Sequence, residues 1–178
     1  MSVISEKVER ISSRMAGFCT VLIYIIPVIL IWSWINYEAA LELGLFHRVA
    51  FPASVPSFGS LIGGFIVSGL LAAIVVGALY HLKQFFMQCS QGNIFTIDGA
   101  EALLKFTKYI VLYAFLAIPV ETILGAIMTI NNPVGERVLM MTFQTYDLTV
   151  IFLSLVLLAI SWIHRESVDI AAENAQII

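Results

Sequence analysis

Charge is what this chain has least of. Of its 178 residues only 12% are Asp, Glu, Lys or Arg, where an ordinary soluble domain carries about 25%. With 60% hydrophobic residues and a mean hydropathy of +0.97, it has too little polar surface to coat a water-soluble body. Part of its solvent is therefore lipid. Other shortages narrow the function. The two cysteines, Cys19 and Cys89, fall in no CxxC and no Cys/His spacing, so they imply neither a disulfide framework nor a metal centre. No GxSxG, HExxH or phosphate loop occurs, and nothing sets Ser, His and Asp as nucleophile, base and orienter. The chain does not read as an enzyme. The formal charge is -3 and no run of bases is present, which argues against direct contact with nucleic acid.

What is present is apolar length. Four stretches suit a crossing of about 20 residues: residues 15–35, 60–79, 109–130 and 146–163, the last beginning at Tyr146, whose ring suits the interface. The first is too long for a signal peptide and ends in Trp32, Trp34 and Tyr37, an aromatic belt, so it reads as a retained anchor. The fold expected is a single all-α membrane domain over residues 1–178, with four transmembrane helices packed as a bundle. In the second span Ser60, Gly64 and Ser68 recur every four residues, as do Gly69, Ala73 and Gly77. Each series lines one helix face and lets a neighbouring backbone approach, either within the bundle or at the seam of a homo-oligomer.

Basic residues orient the spans. With a cytoplasmic N-terminus, Lys7, Arg10, Arg14, Lys83, Lys105, Lys108 and Arg165 lie inside, and Arg48 and Arg137 outside. The positive-inside rule then places both termini in the cytoplasm; the membrane expected is a plasma (inner) membrane. The N-terminal "SEKVERISSRM" is mildly amphipathic and suggests an interfacial helix leading into the first span. The loop 36–59, with Leu41, Leu43, Leu45, Phe46, Val49 and Phe51, is too apolar for free solvent and suggests a short surface helix ended by Pro52 and Pro56. The segment from Asn131 turns at Pro133 and returns through Val138–Met141 and Phe143; with the first loop it makes a greasy outer cap.

Between the second and third spans stands "MQCSQGNIFTIDGAEALLKF". The apolar pattern runs on past Leu79 with no Pro or Gly until Gly92, and Thr96 or Asp98 is placed to cap a new helix. Asp98 with Glu101 has capping-box spacing. These features predict a helical hairpin over 80–108 that projects into the cytoplasm between spans two and three. The adjacent Phe85 and Phe86 cannot both face its inside, so one is left for the interface or a partner.

The same stretch resembles a motif of an uncharacterised bacterial membrane-protein family, the YoaS-like proteins, a domain-of-unknown-function family numbered 2975. Its members are four-span chains with a Gly-x-x-Phe-Ser/Thr turn after the second span, matched here by Gly92, Phe95 and Thr96. Their charged C-terminal helix with a Glu-Asn pair is matched by Glu173 and Asn174, followed by Ile177. The family turn is usually flanked by several Arg residues; here the flanks hold Lys83, Lys105 and Lys108 instead, which weakens a phosphate or headgroup role for them. Because such genes neighbour a small helix-turn-helix regulator, the resemblance implies a regulatory or anchoring partner of a soluble cytosolic protein. Docking would then use Phe85, Phe86, Gly92, Phe95, Thr96, Glu173 and Asn174.

One acid lies deep in a span. Glu121 costs at least about 2.5 kcal/mol at that depth, and Pro119 beside it frees a backbone carbonyl. The alternatives are a proton or cation site, as in a small transporter, proton-coupled element or immunity protein, or an acid satisfied by Thr122, Ser68, Ser154 or the freed carbonyl. His81 and His164, at the inner ends of spans two and four, could ligate haem or a metal; lacking a further ligand, they read as polar ends of their spans, and no cofactor is expected.

Overall fold

The computed structural model describes residues 3–46, 56–92, 95–137, 139, 141 and 144–176. Every regular element among them is a helix: α1 (Val3–Ile35), α2 (Tyr37–Glu42), α3 (Phe58–Ser90), α4 (Ile97–Thr129) and α5 (Thr145–Gln176). The four long helices are each apolar and long enough to cross a membrane. The expected spans fall inside them, apart from Ile130, which is the C-cap of α4. At 33 or 32 residues each, they rise about 50 Å, against roughly 30 Å of hydrocarbon. Each therefore has more length than a crossing needs.

The extra length comes from uninterrupted pattern. No Pro or Gly separates Val3 from Ala16, so the charged N-terminal segment is the start of α1 rather than a separate interfacial helix. α3 likewise continues past Leu79 to Ser90, and α5 past Ile163 to Gln176. Pro27 and Pro119 lie inside α1 and α4, which run through them. The loop helix exists as α2, but Gly44 at φ +72° follows it; the chain turns there, before any proline. His47, Arg48, Val49, Phe51 and Pro52 lie outside the described residues, as do Val138, Met140 and Phe143.

The helices do not close into a bundle. Among the described residues α1 packs on α3 and on the short α2, α3 on α4, and α4 on α5, while α1 and α5 do not meet. The result is a row in chain order. The outer members bury one narrow seam each. On α5 it is Asp147, Ser154, Ser161 and Val168, one residue in seven; on α1 it includes Ser12, Ala16, Cys19 and Ser33. Seven-residue spacing keeps one line facing a neighbour that crosses at a shallow left-handed angle. The buried set of α4, from Gly99 to Thr129, covers too wide an arc for one neighbour, as suits an inner position.

Small residues of α3 are filled from within the chain. The Trp34 ring occupies the space a Cβ on Gly64 would need, and a Cβ on Gly77 would sit 2.6 Å from Tyr109 Cε1. Passing over Gly64, Trp34 reaches Leu124 and Met128 of α4 and clusters with Tyr37 and Phe46.

Candidate functional site

Two places collect the residues singled out by the sequence. The first is the turn from α3 to α4. Gln91 caps α3, and Gly92 follows at φ +83°, a left-handed conformation that glycine adopts without strain. Thr96 is the N-cap of α4: its Oγ1 accepts from the Gly99 N–H at 3.2 Å, and its carbonyl accepts from Ala100. With Thr96 in that role Asp98 is the second residue of the helix, so the Asp98–Glu101 capping box does not form. Glu101 pairs with Lys105 Nζ at 2.8 Å instead.

Phe95 projects from this turn 74% exposed, its ring centroid 6.2 Å from that of His164 on α5. A Cβ on Gly92 would lie 3.7 Å from Glu9 Oε1, so α1 is also adjacent. Phe85 and Phe86, with centroids 5.5 Å apart, are both half-buried. Gly92, Phe95 and Thr96 thus form one tip, the phenylalanine pair lies two turns back along α3, and Glu173 and Asn174 stand exposed on the last turns of α5. Sequence reasoning missed the polar side of this end. Gln84, Gln88 and Gln91 line up on α3 and face Asp98, Glu101 and Lys105 of α4 across a groove of about 350 Å³. Their spacing of four and three residues was the available signal.

The second place is a cavity of about 400 Å³ between α1, α3 and α4 at the α2 end, walled by Trp34, Phe46, Leu71, Ser68, Leu124 and Glu121. The Trp34 indole N–H donates to Ser68 Oγ at 2.8 Å, and the Ser68 hydroxyl donates to the Gly64 carbonyl at 2.8 Å. Burial of Tyr37, stacked on Trp34 just beyond, raises its phenol above the ordinary pKa. The three hydroxyls expected to serve Glu121 donate to their own helices: Thr122 to Ile118, Ser154 to Ile151 and Ser68 to Gly64. The half-buried Pro119 sits one turn from this wall. Sequence reasoning found Glu121 but read Trp34 as a belt residue. The matching signal was Gly64 and Ser68, a gap and an acceptor one turn apart on a facing helix.

Elsewhere His81 Nδ1 lies 3.2 Å from Gln84 Oε1, and among the described residues no three His, Cys, Asp or Glu side chains gather as a metal site would require.

The chain is an integral membrane protein with four candidate spans. No family model matches it, and neither the curated proteins nor the solved structures contain a match.

Proposed function

We propose that this is a non-enzymatic protein of a bacterial inner membrane that holds or regulates a soluble cytosolic partner at the α3–α4 end. The exposure of Phe95 is the observation that carries this reading. A large aromatic group stands at the tip of a polar turn, mostly exposed although one edge lies near His164 of α5, and such groups are common anchors of protein interfaces. The positive-inside distribution supports a cytoplasmic position for this end and for both termini. It also supports helix ends that reach past the bilayer within about 80–108, at a turn whose Gly92 lies beside Glu9 of α1. The motif resemblance to the YoaS-like family supports a helix-turn-helix regulator as the partner. Gly92 and Thr96 shape the turn and Phe95 supplies the anchor; the half-buried Phe85 and Phe86 and the exposed Glu173 and Asn174 complete the docking residues.

A photo-crosslinker at Phe95 in intact cells tests this. Recovery of one soluble protein, lost on Phe95→Glu while membrane insertion is unchanged, is the expected result. Only lipid or self-crosslinks at that position would overturn it.

A second reading is favoured by the cavity. With Glu121 on the wall of an apolar space inside a span, the protein acts within the membrane, as a small transporter, proton-coupled element or immunity protein. Loss of that activity in a normally folded Glu121→Gln protein is its signature.

A further inference from the structure

From the outer face of α1 we infer a binding seat for an acidic phospholipid, independent of the partner proposed above. α1 meets α3 through Ser12, Ala16 and Cys19. At 100° per residue, Lys7, Arg10 and Arg14 lie on the opposite side of the helix. All three are exposed, and among the described residues none makes an ion pair. They line a shallow groove of about 350 Å³ with Ile11 and one acid, Glu6; Glu9 is turned away, toward Gly92.

The same stripe continues down the helix with its chemistry reversed. Below Arg14, steps of four and three residues reach Phe18, Val21, Ile25, Val28 and Trp32, all exposed and none charged. A cationic segment directly above an apolar one, on one unbroken helix face, is the complement of an anionic headgroup above its acyl chain. Arg14 ends the charged segment one residue before the apolar run begins at Met15, so its guanidinium lies at headgroup level. Two of the three bases are arginines, whose planar fork grips a phosphate in two-point fashion. The occupant is an acidic phospholipid drawn from the surrounding leaflet, its phosphate on Arg10 and Arg14 and its chain along Phe18 and Val21.

The test reconstitutes the full chain into nanodiscs of equimolar phosphatidylcholine and phosphatidylglycerol, then counts retained lipids after gentle detergent release by native mass spectrometry. Preferential retention of phosphatidylglycerol is expected. It should fall on the order of thirtyfold in the Arg10→Gln, Arg14→Gln double variant, since each base near an anionic surface contributes about 1 kcal/mol. Lys105→Gln, which removes a base already paired with Glu101, should retain the lipid as before. Equal retention of the two lipids by the unmodified protein would overturn the seat, and so would equal phosphatidylglycerol retention by the double variant. High salt gives an independent reading on the unmodified protein: an exposed ionic seat must weaken, and salt-independent retention also counts against it.

Discussion

The indole N–H of Trp34 donates to the hydroxyl of Ser68, tying the end of α1 to α3 beside the cavity. The Ser68 hydroxyl in turn donates a hydrogen bond to the Gly64 carbonyl, and the Trp34 ring lies over Gly64. One aromatic side chain thus uses both a hydrogen-bond acceptor and a missing side chain on the same face of α3. Ser68→Ala leaves the indole without this acceptor in a low-dielectric site. The expected cost is about 1 kcal/mol, as for other hydrogen bonds between membrane helices, read as an earlier midpoint on detergent-titrated unfolding.

Gly64→Ala should be the more damaging change. Its methyl group must displace the Trp34 ring, and overpacking of this kind costs roughly 1–3 kcal/mol. Gly69→Ala, whose new Cβ would meet only Leu30 Cδ2 at 4.0 Å, should be neutral or slightly stabilising. The pair of variants, compared in the same unfolding assay, separates a steric requirement at Gly64 from a general intolerance of α3 to larger residues. Equal effects would remove the Trp34 argument.

At the other end of α3, Thr96→Ala removes the side-chain oxygen that accepts from Gly99. A lost N-cap costs about 1 kcal/mol, and the loss should appear as faster hydrogen exchange in the first turn of α4. Asp98→Ala should leave that protection nearly unchanged, because Asp98 lies inside the helix and is exposed. A larger effect at Asp98 than at Thr96 would contradict the cap geometry.

Membrane orientation can be read with two introduced thiols. Cys19 and Cys89 are both buried, at 2% and 5% exposure, so the native background to a maleimide should be low until the protein is unfolded. Val134, 93% exposed between α4 and α5, and Glu173 on the last turns of α5 lie toward opposite ends of α5. With an impermeant reagent on intact cells, Val134→Cys should label at once and Glu173→Cys only after permeabilisation. The reverse pattern would invert the orientation drawn from the basic residues.

Span number was legible in the chain because apolar length alone decides it. Neighbour relations were not, because lipid and protein interior are both apolar. Phe152 is 65% exposed and Leu124 is 6% exposed, yet nothing about either residue type distinguishes the two. On α5 the inside is in fact the more polar side: Asp147, Ser154 and Ser161 are buried while Leu153, Leu157 and Ile160 are not. Rules that bury the apolar face of a helix in water fail in this solvent, where small and polar groups mediate helix contacts. The candidate sites divide the same way. Glu121 was conspicuous as an acid in an apolar run, and the Gly92–Thr96 turn as a break between helices. The Trp34–Ser68 tie joins distant parts of the chain, so no local periodicity could announce it. The choice of Thr96 over Asp98 as cap rests on where α4 begins, a boundary that pattern leaves open by a residue or two.

The row of helices in chain order has a consequence for how the protein is made. Each long helix rests on the one synthesised just before it, and among the described residues the first and last do not pack on each other. A nascent chain leaving the ribosome can therefore settle each segment against a neighbour already in place. Apart from Trp34, whose contacts with Leu124 and Met128 wait for α4, no early segment is kept waiting for a late one, so assembly should proceed largely one helix at a time.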